Sequence, residues 1–308
     1  MNGFLDILTP DERAALSLRS LYASYGYSHY KMSKFEEYDL YVRNKDFLVS
    51  DNVITFTDTD GRLLALKPDV TLSIIKNNRA EAGVMKVYYD ENVYRVSRGA
   101  GSFREIKQVG LECIGEVGSR EIAEVINLAG KSLDAISSRS VLDISYIDIV
   151  SETFSFVGMD SAAQDEAMVA LGQKNVTRLC EIADECGVDG EGKRLLTSLI
   201  TLSGAPDSVI PALRALTFSE KVRCAVDRLC EVISLVEFDR INVDFSVVGN
   251  MRYYNGFAMK GFVDGVPTSV LSGGQYDALM KKMQRNDKAI GFAVYLDEVA
   301  RLPGCEVK

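Results

Sequence analysis

The 308-residue chain has no tryptophan, a single histidine and no long apolar run. Its apolar runs are only a few residues long, far below the ~18–20 residues that a bilayer span needs, so membrane residence is not predicted. No basic segment precedes an apolar one at the N-terminus, so no signal peptide is predicted. Basic residues are in the minority, with 35 Lys and Arg against 44 Asp and Glu. This balance argues against a general nucleic-acid binder.

The usual metal sites and histidine-based nucleophilic sites are also missing. His29 is the only imidazole and no two cysteines form a C-x-x-C pair, so the usual zinc sites cannot be assembled. No cofactor is predicted. His29 lies in a tyrosine-rich stretch and is interpreted as a strand side chain. Without export signals, the cysteines are expected to be free thiols in a reducing cytoplasm. They are Cys113, Cys180, Cys186, Cys224, Cys230 and Cys305.

The first half of the chain predicts helices around paired strands. Thr9 and Pro10 begin a helix that Gly26 ends, and Asp60-Gly61 turns a hairpin within residues 53–66. Further patterns predict a helix from Asp69 to about Asn77, strands at 84–96 and 104–114, a helix at 119–136 and a strand from 141.

Helical periodicity then dominates residues 151–238, before strands resume at 241–247. A second hairpin turns at 264–265, Gly273-Gly274 is expected to open a helix through Met283, and 289–295 predicts a last strand. The fold class is therefore α+β, a mostly antiparallel sheet flanked by helices. The expected division is a discontinuous core, 1–150 and 239–308, with an α-helical insertion at 151–238.

Polar residues share one face of the strand at 104–114, where Gln108 and Glu112 stand two pleats apart. If that face meets solvent, Val109 and Leu111 face the core, and the alternation alone favours this ordinary arrangement. If the face points inward, Gln108 and Glu112 need partners that a ligand could supply.

Two other segments leave a structural and a ligand role open. Asp69 and Thr71 lie at a helix start, where free amides and the helix dipole favour a carboxylate with or without a ligand. The loop at 97–103 is polar, glycine-rich and basic, and could hold phosphate. Its sequence matches neither the P-loop nor the dinucleotide-binding pattern.

Six motifs, taken in order, resemble the catalytic core of class II histidyl-tRNA synthetases over nearly the whole chain. They are KPDVT at 67–71, YR at 94–95, FREIKQVGLE at 103–112, YYNG at 253–256, GGQYD at 273–277 and AIGFA at 289–293. The resemblance implies an antiparallel sheet, a helical insertion between motifs 2 and 3, and dimerisation through motif 1, here at 27–36.

Several positions depart from the synthetase pattern. Motif 1 has Ser33 for a proline, and Ser97 replaces the motif 2 carboxylate. Gly249 stands at the catalytic arginine and Glu298 at the motif 3 arginine that holds ATP phosphate. Amino-acid activation needs fixed cations at phosphorus, so adenylation is not expected. No anticodon-binding domain is expected after motif 3, so tRNA binding is not expected either.

The amino-acid half of the pocket is better preserved. By resemblance, Asp69, Thr71 and Gln108 hold the histidine α-amino group, while Glu112 and Tyr254 hydrogen-bond the imidazole. Gly249 cannot hold the ligand carboxylate, and either Arg95 or Arg252 is the expected substitute. The predicted histidine-binding set is Asp69, Thr71, Arg95, Gln108, Glu112, Tyr253 and Tyr254.

A kept amino-acid pocket without activation chemistry resembles the regulatory subunits of short-form ATP phosphoribosyltransferases. The variants at 67–71 and 253–256 are closer to that family than to the synthetases. The resemblance implies a noncatalytic partner of a short catalytic subunit in a hetero-octamer, acting in the first step of histidine biosynthesis with histidine as feedback inhibitor. Two alternatives stay open, an enzyme that still activates an amino acid and a ligand-free scaffold.

Overall fold

The computed structural model describes residues 7–45, 48, 52–78, 83–96, 102–216, 219–248 and 254–302. The helices are α1 (Pro10–Ser24), α2 (Tyr38–Arg43), α3 (Thr71–Asn77), α4 (Ser119–Ile136), α5 (Ile147–Phe156), α6 (Ser161–Gly172), α7 (Val176–Glu185), α8 (Gly190–Thr201), α9 (Pro206–Arg214), α10 (Glu220–Ile233), α11 (Asp277–Lys282) and α12 (Leu296–Val299). The strands are β1 (Ser28–His29), β2 (Phe35–Glu37), β3 (Thr55–Thr57), β4 (Leu63–Leu66), β5 (Val84–Val96), β6 (Phe103–Gly115), β7 (Ser140–Tyr146), β8 (Ser203–Gly204), β9 (Ile241–Asp244), β10 (Phe257–Val263), β11 (Leu271–Gln275) and β12 (Lys288–Tyr295).

Nine of these strands form one large sheet in the order β1-β5-β6-β12-β11-β10-β7-β9-β8. Its pairs are antiparallel except β1–β5 and β7–β9. The longest pair is β5–β6, which runs in register from Val84 opposite Gly115 to Val96 opposite Phe103. A separate small sheet has the order β2-β4-β3. The predicted α+β class with a mostly antiparallel sheet is confirmed.

Helix α4 packs its apolar face on the large sheet. Ile122, Val125, Ile126 and Leu133 are almost fully buried, as their spacing predicts. Each such side chain stabilises the fold by about 1.5–3 kcal/mol relative to exposure. The cluster that contains these residues also extends through the helices between β7 and β9. The helical stretch predicted from periodicity is thus present, and it shares its apolar core with the sheet.

The expected helix opening at Gly273-Gly274 is wrong, because both glycines lie in β11 and α11 starts only at Asp277. A Cβ on Gly274 would lie 2.6 Å from the carbonyl oxygen of Phe257. A Cβ on Gly273 would overlap the backbone of β12. The two glycines therefore allow the neighbouring strands to approach closely. In the sequence, a glycine pair with this role looks the same as one that precedes a helix.

Several local predictions are confirmed. Helix α1 has its capping box, in which the Thr9 amide donates to Glu12 Oε2 at 2.8 Å. His29 is exposed in β1 and its ring stacks on Tyr88. The described cysteines are free thiols, while Cys305 lies outside the described residues. No helix in the described ranges is both long and apolar enough to cross a membrane.

Candidate functional site

A cavity of about 510 Å³ lies between one face of the large sheet and the start of α3. This volume is typical of sites for small molecules. Strands β6, β10, β11 and β12 supply much of its wall. Six residues of the predicted histidine-binding set line it together: Asp69, Thr71, Arg95, Gln108, Glu112 and Tyr254. The remaining member, Tyr253, lies outside the described residues, as do Ser97, Gly249 and Arg252.

The solvated-face interpretation of β6 is wrong for Gln108 and Glu112, because each is only 2% exposed. Val109 and Leu111 on the opposite face are fully buried. One face of the strand therefore meets the core and the other meets the cavity. Period-two alternation distinguishes two faces but does not say whether the polar one is covered.

The Glu112 carboxyl is held by hydroxyl groups from two distant segments. Oε1 accepts a hydrogen bond from Thr71 Oγ1 at 2.7 Å, and Oε2 accepts one from the Tyr276 hydroxyl at 2.5 Å. Burial raises the Glu112 pKa to about 8, although these two hydrogen bonds oppose the rise. The carboxyl therefore keeps a proton near neutral pH and can share it with a basic ligand.

A glycine opposite Glu112 makes room for this carboxyl. Gly291 pairs with Glu112 across β12 and β6. A Cβ on Gly291 would overlap Glu112 Oε2 and would lie 2.5 Å from the carbonyl oxygen of Leu111. The glycine of the AIGFA motif thus belongs to the wall of the site.

Asp69 bonds the first turn of α3 and also lines the cavity, while its ligand role stays a prediction. Its Oδ1 accepts the Leu72 amide at 3.0 Å in the first turn of α3. Its Oδ2 lies 3.6 Å from Arg95 Nη2. Burial raises the Asp69 pKa, while Arg95 and the helix amides pull the pKa down. Arg95 Nε also donates to the Pro68 carbonyl at 2.6 Å, which fixes the guanidinium beside Asp69.

Gln108 brings an unmatched polar group to the cavity. Within the described part of the chain its side-chain amide makes no hydrogen bond, although the residue is 2% exposed. Buried amides in folded proteins nearly always have a partner. The amide is thus available to a bound molecule.

The candidate set drawn from the sequence omitted Tyr276, which is fully buried and hydrogen-bonded to Glu112. It lies in the GGQYD motif, so the resemblance contained the signal. The set also omitted Lys260, Ser272 and Tyr295, which line the cavity from three neighbouring strands. A lysine within the apolar stretch of β10 was the available signal for this wall.

Two other predicted features lie elsewhere. Glu298 is not among the described residues that line the cavity. Its carboxylate instead accepts a hydrogen bond from Thr268 and pairs with Arg301, each at 2.7 Å. It therefore adds no negative charge to the cavity wall. The possible phosphate-binding loop at 97–103 falls largely outside the described residues.

The family model for histidyl-tRNA synthetase matches residues 8–299. ATP phosphoribosyltransferase regulatory subunits are similar over most of their length. The one from Oceanobacillus iheyensis is 27% identical over 294 residues, covering 92% of this chain and 72% of the relative. The one from Clostridium kluyveri is 28% identical over 299 residues, covering 92% of this chain and 75% of the relative.

Solved structures share the fold. An ATP phosphoribosyltransferase regulatory subunit/histidyl-tRNA synthetase from Bacillus halodurans has a TM-score of 0.85 at 24% identity, covering 96% of this chain and 80% of that one. A chain of the ATP phosphoribosyl transferase (HisG:HisZ) complex from Thermotoga maritima has a TM-score of 0.71 at 15% identity, covering 93% of this chain and 97% of that one. This chain belongs to the histidyl-tRNA synthetase family, and within it resembles the ATP phosphoribosyltransferase regulatory subunits.

Proposed function

We propose that this chain is the noncatalytic regulatory subunit of a short-form ATP phosphoribosyltransferase and that its cavity binds free histidine as the feedback signal. The names of its relatives support the regulatory role. The observation that carries the ligand proposal is the buried polar pair Gln108 and Glu112, which faces a cavity of small-molecule size. Thr71 and Tyr276 already bond Glu112, but the Gln108 amide has no partner among the described residues, and a ligand in the cavity supplies one.

The chemistry of the wall suits a free amino acid with a basic side chain. An α-ammonium group donates to acceptors such as the Asp69 carboxylate, the Thr71 hydroxyl and the Gln108 carbonyl. An imidazole lies within reach of Glu112 and Tyr254 on the same wall. The proton held by Glu112 passes to the imidazole, which leaves a charge-assisted pair in a buried site.

The same wall is poorly equipped to activate the amino acid. Adenylation concentrates negative charge on a pentacoordinate phosphorus, which fixed cations must stabilise. Arg95 and Lys260 are the described cations that line the cavity. Arg95 is already held by Asp69 and by the Pro68 carbonyl, which leaves Lys260 as the one described cation on the wall that could stabilise this charge. We therefore assign the chain a binding role without catalytic activity of its own.

The small sheet carries an apolar surface that suits a second copy of this chain. Phe35, Phe56, Leu63 and the nearby Val42 of α2 are each more than a third exposed. The Phe35 and Phe56 rings pack edge to face at 5.2 Å. Because this surface includes part of motif 1, we propose that the chain self-associates through it.

Helix α3 provides a physical route from the cavity to this surface. Its first residue, Thr71, bonds Glu112 in the cavity. Two residues later, Ser73 Oγ donates to Glu36 Oε1 of β2 at 2.6 Å, and further along the helix Lys76 pairs with the other Glu36 oxygen at 3.2 Å. A ligand that favours one position of α3 therefore favours one arrangement of the small sheet. A preference of about 1–3 kcal/mol is enough for regulation.

Reconstitution tests the proposal. The chain is mixed with a short ATP phosphoribosyltransferase catalytic subunit, and we expect the two to co-purify, this chain to be required for activity, and histidine to inhibit the complex. Glu112→Gln is expected to keep the activity and weaken the inhibition at least tenfold. Glu191→Gln, an exposed carboxyl on α8, serves as the matched control. Full activity without this chain, or equal inhibition of both variants, contradicts the proposal.

A further inference from the structure

Lys260 lies on the cavity wall opposite the acidic groups. It is half-buried on β10, in register with Ser272 of β11, which in turn is opposite Ala293 of β12. Tyr295 is two residues further along β12 and faces the same side. Lys260, Ser272 and Tyr295 all line the cavity. One cation and two hydroxyl groups thus form one part of the wall.

The Lys260 ammonium has no ion-pair or hydrogen-bond partner within the described ranges. Its register partner on β7 is Asp143, whose Oδ1 accepts a hydrogen bond from Asn242 at 3.1 Å. The Lys260 charge acts on this carboxylate only at longer range, where it opposes the rise in the Asp143 pKa that burial causes. The other described cation on the cavity wall, Arg95, is held by Asp69 and Pro68. Lys260 is therefore the described cavity cation that is available to a bound anion.

The neighbouring hydroxyl groups add a hydrogen-bond donor. Ser272 Oγ and the Tyr295 hydroxyl are 2.5 Å apart, and either can donate to the other. The hydroxyl group that accepts this hydrogen bond can still donate its own proton to a ligand. A lysine ammonium beside a free hydroxyl proton is an arrangement that binds a carboxylate.

We infer that Lys260, assisted by the Ser272–Tyr295 pair, binds the α-carboxylate of the amino acid in this cavity. The inference rests on the proposed function, because it needs an amino acid at the Asp69 and Glu112 side. It assigns the ligand carboxylate, which Gly249 cannot bind, to Lys260 in place of the two arginines expected from the sequence. Of these, Arg95 is already held by Asp69 and Pro68, and Arg252 lies outside the described residues. Three strand spacings, about 14 Å, separate β6 from β10. The Glu112 side chain, a small amino acid and the long lysine side chain together span that width.

Calorimetry with two ligands tests this assignment. Histidine and histidinol differ at one end only, because histidinol has a hydroxymethyl group in place of the carboxylate. We expect Lys260→Met to weaken histidine binding about tenfold or more and to leave histidinol binding unchanged. Lys260→Arg, which keeps the charge, is expected to restore most of the affinity for histidine. Lys288→Met, an exposed lysine at the start of β12, is the matched control.

The same titrations distinguish a failure of the histidine proposal from a failure of the Lys260 assignment. If the wild-type chain binds neither ligand, the histidine proposal itself is overturned, and the Lys260 assignment with it. If the wild type binds histidine and Lys260→Met binds it equally well, only the Lys260 assignment is overturned. An equal loss for histidine and histidinol also overturns it, since the carboxylate is then not what Lys260 recognises.

Discussion

The Tyr276 hydroxyl donates a hydrogen bond to Glu112 Oε2 at 2.5 Å, which joins two residues 164 positions apart on the cavity wall. Thr71 holds the other Glu112 oxygen. The carboxyl is therefore oriented before any ligand arrives, and a ligand that needs it is spared the cost of ordering it. The most direct consequences concern pH, because burial places the pKa of this carboxyl near 8.

Histidine affinity should be highest between about pH 6.5 and 8. In the complex, Glu112 and the imidazole share one proton. Above pH 8 both the Glu112 carboxyl and the imidazole of free histidine have lost their protons, so binding must take up a proton and the affinity falls. Below the free imidazole pKa of about 6.5 both partners are protonated, so binding must release a proton and also weakens. Calorimetry from pH 5.5 to 9 measures this profile, and a monotonic rise or fall across that range contradicts it.

Glu112→Gln should make the folded chain less sensitive to alkali. The folded pKa lies above the ordinary value of 4.5, so between pH 4.5 and 8 the unfolded chain loses a proton that the folded chain keeps. Wild-type stability therefore falls across that window, by up to a few kcal/mol, and the variant lacks this fall. Urea unfolding at pH 5 and pH 8.5 compares the two. Equal pH slopes for wild type and variant argue against a raised Glu112 pKa.

Glu91→Gln should destabilise the fold by about 3 kcal/mol, since it leaves a buried ammonium without its charge partner. The Lys67 side chain is only 1% exposed and its Nζ lies 2.5 Å from Glu91 Oε2. Asp39→Asn, which breaks the exposed pair with Arg43, is the control and should cost less than about 1 kcal/mol. Chemical denaturation gives both values. Similar small losses for the two variants would show that the Lys67–Glu91 pair is not effectively buried.

Phe56→Asp should dissociate the proposed dimer without unfolding the monomer. The ring is 37% exposed on the small sheet and packs against Phe35, so a charge there meets water in the monomer but is buried in an interface. Sedimentation velocity measures the change in mass. Phe156→Asp, on the exposed end of α5, is the matched control and should leave association unchanged. A monomeric wild type, or a dimeric Phe56→Asp chain, contradicts the proposed interface.

Much of the architecture could be predicted from the sequence, because local chemistry marks it. The bounds of α4 match the predicted 119–136, and β5 and β6 agree within a residue or two. Gly273 and Gly274 were misassigned, since the same residue type permits a helix start and a close approach of strands. That close approach depends on β12, which the local sequence does not contain.

The cavity shows where local patterns reach their limit. Alternation placed Gln108 and Glu112 on one face but favoured solvent, because the covering segment at 69–71 is far away in the chain. The ordered motifs of the family resemblance did indicate these residues. Lys260 was missed because the departure from an apolar pattern has meaning only once β11 and β12 bring Ser272 and Tyr295 beside it.

We propose a cavity that binds histidine but does not activate it. Histidine-dependent exchange of pyrophosphate into ATP, measured on the purified chain at saturating histidine, tests this directly. We predict no exchange above the rate without histidine, because Arg95 is engaged by Asp69, Gly249 supplies no cation, and Lys260 is assigned to the carboxylate of the amino acid. Sustained exchange that depends on histidine and disappears in Glu112→Gln would contradict the regulatory account and identify an amino-acid-activating enzyme.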